Sequence, residues 1–257
     1  MSSEKKKIRI LLVGYGRMGK LIHENANYIN GEIKAICDPH IPEYNHPLDS
    51  FNADDFDVAI EFTGPEFGFE NVKTLLQKKI PIVTGSTGWF HKIIELIDLF
   101  DPSENSMIYS ANFSIGMNII YDIIENATKI FNQYNIYDIY GLEKHHKHKV
   151  DSPSGTARVI SEIVINNIDR IHDVVFHLNE TELKPNQFSF SSVRAGNIVG
   201  VHELAFESEF DDIHITHNAK NRVGFAIGAL IAAKAAINMK GFHNFKDIFK
   251  SVIIDES

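Results

Sequence analysis

The sequence predicts an α/β chain in two parts: a parallel-sheet region, then an α+β region with an antiparallel or mixed sheet. Three observations carry this. Short apolar runs of strand length alternate with helical stretches up to about residue 112. A glycine-rich turn, Gly14 to Gly19, closes the first of those runs. After Asn112 the alternation gives way to one long helical stretch and then to clustered strand-like runs.

Ile8 to Val13 is continuously apolar, as a strand buried on both faces must be. Gly14-Tyr15-Gly16-Arg17-Met18-Gly19 follows, then an amphipathic helix from Lys20 to about Tyr28, then a strand at Ile33 to Cys37 closed by Asp38. Strand, glycine turn, helix, strand and terminal acid make a dinucleotide-binding unit, in which the glycines permit a tight turn and close approach of backbone to a pyrophosphate. The helix start adds amide N–H groups and a favourable dipole. Further strands are expected at Asp57 to Thr63, Ile80 to Thr84 and Met107 to Tyr109, with helices to about Lys79 and around Phe90, Ile93, Ile94 and Ile97 at i, i+3, i+4 and i+7. The loops at 14–19, 63–65, 85–88 and 110–113 then lie beyond the carboxyl ends of the strands, where such sheets bind ligands.

Ile115 to Phe131 reads as a long helix, and Tyr137, Ile139 and Gly141 as a strand. Thr156 to Ile168 is helical, and 169–187, mixed and polar, reads as a loop or an irregular element. Strands at 188–193, 201–207 and 212–217 follow, then an apolar, small-residue helix from Phe225 to Ala236 and a terminal helix near 243–253.

The 257 residues carry a net charge of −9, with ordinary hydrophobic (44%) and charged (23%) fractions, which disfavours a nucleic-acid partner. Cys37 is the only cysteine, no run approaches a membrane span and the start carries no signal-like apolar stretch, so a cytoplasmic protein is expected. Against this acidic background Lys144-His145-His146-Lys147-His148-Lys149 is a local exception. Six adjacent basic groups should lower one another's pKa, and a shared anion would relieve them. That suggests an anionic substrate and a histidine or lysine ready to give up a proton near neutral pH. Three histidines without a carboxylate or cysteine partner set are not expected to bind a metal.

Taken in order, GYGRMG at 14–19, EFTGPE at 61–66, TGSTGW at 84–89, ANFSIGMN at 111–118, EKHHKHKVDSPSGTA at 143–157, VRAGNIVGVHEL at 193–204 and HNAKNRVGFAIGAL at 217–230 resemble the 4-hydroxy-tetrahydrodipicolinate (dihydrodipicolinate) reductase family over nearly the whole chain. The resemblance implies a Rossmann-like cofactor domain, residues 1–112 with 222–257, and a substrate and tetramerisation domain, 113–221. It implies a nicotinamide cofactor, a small cyclic imine dicarboxylate on the route to diaminopimelate and lysine, and a homotetramer. His145 matches the family's proton donor/acceptor and Lys149 its second proton donor, while His146, Gly155 and Thr156 match substrate contacts. Cofactor contacts fall on Gly14, Tyr15, Gly16, Arg17, Met18, Gly19, Asp38, Gly85, Ser86, Thr87, Ser110, Ala111, Asn112 and Phe113.

The chemistry agrees. Hydride addition to a conjugated imine leaves an enamine-like anion that needs a general acid. Two carboxylates need cations and N–H donors, which Lys149, the histidines and the helix start behind Pro153 can supply. His148 should point away from the site, and Lys144 and Lys147 should be solvated. Where many family members carry an arginine after the acid of the second strand, this chain has Asp38-Pro39-His40, so NADH should serve at least as well as NADPH, with Arg17 the one nearby cation for a 2′-phosphate. Ser86 in place of threonine should keep the hydroxyl. The competing readings are a dehydrogenase acting on another imine or oxo acid, and a non-enzymatic dinucleotide or metal sensor.

Overall fold

The computed structural model describes residues 6–178 and 182–254. The chain divides into two compact units, Met1–Ile115 with Val223–Ser257 and Gly116–Arg222. In the first unit β1 (Ile8–Val13), α1 (Arg17–Asn25), β2 (Gly31–Cys37), β3 (Val58–Glu61), α2 (Pro65–Gln77), β4 (Ile82–Thr84), α3 (Ile93–Leu99) and β5 (Ser106–Tyr109) follow in order. The second unit holds α4 (Ile115–Phe131), which begins at the boundary, β6 (Asp138–His145), α5 (Gly155–Asn167), β7 (Asp173–Val175), β8 (Gln187–Arg194), β9 (Gly200–Glu207) and β10 (Asp212–Ala219). The chain then returns to the first unit as α6 (Val223–Ala236), β11 (Gly241–Asn244) and α7 (Phe245–Ile254).

The first sheet is parallel throughout, in the order β11-β5-β4-β3-β1-β2. Its inner strands are largely apolar on both faces because both faces are covered. Ile10 and Leu12 of β1 enter one core with the alanine-rich α6, while Leu11 and Val13 enter the other with Val72 and Leu75 of α2. This burial explains why α6 is apolar all round. From β1 the chain goes first to β2 on one side and then to β3 on the other, which opens a crevice at the carboxyl ends of the three strands.

The second sheet is mixed, in the order β10-β9-β6-β8-β7. β8 runs parallel to β6 and β7, and β9 antiparallel to β6 and β10. Met117, Tyr121 and Ile124 of α4 and Ile160 and Val164 of α5 pack on Ile139, Phe188, Phe190, Leu204 and Phe206 from one face of the sheet. Among the described residues no helix is long and apolar enough to cross a membrane.

Some elements depart from expectation. β3 ends at Glu61 rather than Thr63, because Glu61 turns inward to bond the following loop. The stretch read as the start of a terminal helix is divided: residues 241–244 form β11 by parallel pairing to β5, and the helix begins at Phe245. Three-residue β7 lies in a stretch expected to be loop and owes its existence to pairing with β8; residues 179–181 of that stretch lie outside the described residues. Both strands are too short to show a period of two.

Candidate active site

In the first unit, a cleft of about 360 Å³ is lined by Gly14, Gly16, Asp38, His40, Thr63 and Gly64, among others. Gly14 has φ +93°, and a Cβ there would lie 2.4 Å from the Phe62 carbonyl oxygen, so only glycine makes this turn. A Cβ on Gly19 would lie 2.2 Å from the Gly14 oxygen, which is how closely α1 packs on the loop. Gly16 stands at the N-cap of α1 with no side-chain cap, and nothing lies within 4 Å of where its Cβ would be. A helix start left uncapped beside open space suits a pyrophosphate. Asp38 is buried, accepting from the Tyr15 N–H at 2.7 Å and the His40 N–H at 2.9 Å. Each of its oxygens retains a lone pair for a ribose hydroxyl. These residues fit a dinucleotide.

Below the cleft, Glu61 is fully buried. It accepts from the N–H and hydroxyl of Thr63, the Thr84 hydroxyl at 2.6 Å and the Ser86 hydroxyl at 2.7 Å. The Ser86 oxygen also accepts from the Thr63 N–H at 2.9 Å. The hydroxyl expected to face a cofactor is therefore committed to tying two loops together, leaving backbone groups of Gly85 to Thr87 for that purpose. Similarly Phe113 packs its ring against Phe62 and Phe245 in the core, and the Ser110 hydroxyl bonds the backbone of Asn112. Arg17, Thr87 and Ala111 are exposed.

In the second unit, strand alternation along β6 places Ile139, Gly141, Glu143 and His145 on the face covered by helices. The face is apolar at one end and polar at the other. Glu143 lies opposite Ser192 of β8 and His202 of β9. One carboxylate oxygen of Glu143, Oε1, accepts from the Ser192 hydroxyl at 2.7 Å, Arg194 at 2.9 Å and the Ser154 N–H at 3.1 Å. Oε2 lies 3.6 Å from both His145 Nδ1 and His202 Nε2. Burial alone would push the Glu143 carboxyl up; His202, Ser154, Ser192 and Arg194 outweigh it and hold the group well below the usual carboxylate range. Glu143 is ionised and buried.

His145 is 6% exposed, and its pKa is pushed down to about 4, first by burial and next by His202, with Lys149 and Arg194 adding to the effect and Glu143 opposing it. The expected cause, repulsion within the basic run, is thus secondary, and only Lys149 of that run contributes. Lys149 pairs with Asp151 at 2.9 Å. Arg194 also donates to the Asp151 carbonyl at 2.7 Å, anchoring the loop between β6 and α5. That loop ends at Ser154, whose hydroxyl caps α5 by accepting from the Ala157 N–H at 3.1 Å. Gly155 follows, exposed and with nothing within 4 Å of its Cβ position, and Thr156 is buried behind it. His146 is half-buried, Lys147 and His148 are exposed, and Lys144 is half-buried on the opposite face of β6 from His145.

Glu143, His145 and His202 offer ligand atoms within 4.8 Å of one another, a span a metal ion could bridge. Arg194 already pairs with the other oxygen of this carboxylate, Oε1, at 2.9 Å. Reading residues singly missed Glu143, Ser192, Arg194 and His202; the period of two that puts Glu143 beside His145 was the available signal.

Comparison with known proteins covers both units. Residues 8–113 match the family model described as dihydrodipicolinate reductase, N-terminus, and residues 116–249 the one described as dihydrodipicolinate reductase, C-terminus. The 4-hydroxy-tetrahydrodipicolinate reductase of Christiangramia forsetii is 32% identical over 245 residues, covering 95% of this chain and 99% of the relative. That of Buchnera aphidicola subsp. Schizaphis graminum is 34% identical over 281 residues, covering 96% and 98%. Among solved structures, the dipicolinate-bound dihydrodipicolinate reductase from Paenisporosarcina sp. TG-14 superposes with a TM-score of 0.75 at 23% identity, covering 95% of this chain and all (100%) of that one. An amine dehydrogenase from Mycobacterium smegmatis shares the fold at a TM-score of 0.60 and 9% identity, covering 94% and 96%.

Proposed function

The chain belongs to the dihydrodipicolinate reductase family, and from that membership we propose how its own residues carry the reaction. The reaction is the NAD(P)H-dependent reduction of 4-hydroxy-tetrahydrodipicolinate to tetrahydrodipicolinate, in diaminopimelate and lysine biosynthesis. The observation that carries the site assignment is the buried, neutral His145 between ionised Glu143 and the cations Lys149 and Arg194, close to the open start of α5. Lys149, His146 and the N–H groups of Gly155 and Thr156 hold the substrate's two carboxylates. Their arrival adds negative charge beside His145 and raises its pKa from about 4 toward neutrality, so the residue takes up the proton that it then delivers. Lys149 is the second proton donor. In the first unit the backbone of Gly14 to Gly19, with Asp38 and the loops at 85–87 and 110–113, holds the dinucleotide, and the nicotinamide, when bound, supplies a hydride.

A homotetramer belongs to the same reading. The face of the mixed sheet turned away from α4 and α5 carries the half-exposed Tyr140 and Leu142 and the exposed Val193 beside Lys144 and Glu203, apolar side chains that assembly would cover. Sedimentation equilibrium giving a monomer at micromolar concentration would remove this part of the proposal.

The direct test is NAD(P)H consumption in a coupled assay that forms the hydroxylated ring from pyruvate and aspartate semialdehyde. Turnover there, with none on other oxo acids, is the expected result. The same assay ranks the cofactors. Asp38, which lines the cleft, repels a 2′-phosphate, so NADH is expected to serve at least as well as NADPH. A kcat/KM for NADPH more than about ten times that for NADH, roughly 1.4 kcal/mol in favour of the phosphate, would overturn this.

A further inference from the structure

We infer that Glu143 is a positioning residue that fixes the proton of neutral His145 on Nδ1, leaving Nε2 as the nitrogen that exchanges a proton with the substrate. The inference rests on the reductase reading of the site and assigns atoms within it.

The two oxygens of Glu143 are supplied unequally. Oε1 takes three donors: Ser192, Arg194 and the Ser154 N–H. Oε2 has no hydrogen-bond partner among the described residues, and neither has Nδ1 of His145, 3.6 Å away. An ionised carboxylate only accepts, so a neutral imidazole beside it gains by turning an N–H toward it. His202 also has a nitrogen 3.6 Å from Oε2, but that nitrogen has a second partner in the Ser154 hydroxyl at 3.3 Å. Nδ1 of His145 has no such alternative, and the loose 3.6 Å contact is of the kind that tightens when a site closes on its substrate.

The other nitrogen is kept clear. A Cβ on Gly200 would lie 3.3 Å from His145 Nε2 and 3.5 Å from its Cδ2, so glycine at this position leaves the flank of Nε2 open. Of the charged and titratable groups that act on His145, namely Glu143, His202, Lys149 and Arg194, only Glu143 favours its protonated form. In the protonation step the Nε2–H bond of the imidazolium breaks as a C–H bond forms on the enamine carbon. The enamine π-electron pair supplies that new bond, and the pair left on Nε2 restores neutral His145. The Nδ1–H stays directed at Glu143 throughout, and solvent reprotonates Nε2 for the next turnover.

Long-range ¹H–¹⁵N correlation on the ¹⁵N-histidine-labelled full chain, at about pH 7 where His145 is neutral, reads the tautomer directly. The expected result is a protonated Nδ1 and a bare Nε2. Glu143→Gln should reverse it. The amide oxygen stays with Ser192, Arg194 and the Ser154 N–H, and the NH₂ takes the place of Oε2 and donates to Nδ1, so the proton moves to Nε2. In that variant kcat should fall about a hundredfold, with KM and NAD(P)H affinity changed by less than about threefold, and Glu143→Asp should recover part of the loss. A wild-type His145 protonated on Nε2, or a tautomer that Glu143→Gln leaves unchanged, overturns the inference. Should Glu143→Gln fail to fold, the wild-type tautomer alone decides. A wild-type chain inactive on the hydroxylated ring would instead overturn the reductase reading, which the tautomer measurement does not touch.

Discussion

Replacing His145 by alanine is expected to lower kcat by about two to four orders of magnitude, the range a positioned general acid supplies. Lys149→Ala should lower it by about two orders and raise KM as well, because that ammonium is both proton donor and carboxylate partner in the proposed site. NAD(P)H affinity should change by less than about threefold in either variant, since both residues belong to the second unit and the dinucleotide cleft to the first. Steady-state rates in the coupled assay, with NADH titrated by its fluorescence, measure both quantities. A kcat within tenfold of wild type would remove the residue from its assigned role. A collapse of dinucleotide affinity would show that binding and protonation are not divided between the units as assigned.

The largest stability effect is expected at Arg194→Ala. The guanidinium, 19% exposed, is the only side chain that forms a close ion pair with the fully buried Glu143 among the described residues, and it also anchors the loop at Asp151. Removing one partner of a buried pair costs about 3–5 kcal/mol. The lower end is expected because Ser192 and the Ser154 N–H still bond the carboxylate. Urea unfolding at neutral pH measures it, and a loss below about 1 kcal/mol, the value of an exposed pair, would refute the buried pairing.

The pH dependence has a definite sign. Glu143 titrates lower in the folded chain than in the unfolded one, so its contribution is complete above the ordinary carboxylate range and is lost as pH falls through the folded value. His145 is held at about 4 against an ordinary 6.5, so folding favours its neutral form and stability declines as pH drops from 6.5 toward 4. Both groups act in the same direction. Without Arg194 the Glu143 carboxyl rises toward its unfolded value, so the acid-dependent loss should be smaller than in the wild type and end at a higher pH.

Much of the fold was legible because its signals are local. The apolar runs of β1 and β3 to β5, the glycine turn and the long face of α4 declare themselves within stretches of three to seventeen residues. Elements made by pairing were not legible. Gly241 to Asn244 and Asp173 to Val175 have no strand-like pattern of their own and become strands because β5 and β8 offer them edges. Ser86 shows the same limit at a single side chain: its hydroxyl was expected at the cofactor, yet it serves a carboxylate that arrives from another strand.

The basic run at 144–149 illustrates what each level decided. By itself the sequence determined that a chain of net charge −9 concentrates six basic groups before a Pro-Ser-Gly-Thr turn, that a dinucleotide turn precedes them, and that the motifs fall in the order of one reductase family. Charge, spacing and the period of a strand are properties of neighbours along the chain, so they can be read there. Only the tertiary structure decided that His145 is neutral chiefly because it is buried, with the cations beside it a secondary cause. It also decided that Lys144 leaves on the opposite face of β6, and that Ser192, Arg194 and His202 from two neighbouring strands gather around the Glu143 carboxylate beside His145. Desolvation and cross-strand contact depend on which residues the sheet brings together across many tens of positions, and no local window contains that information.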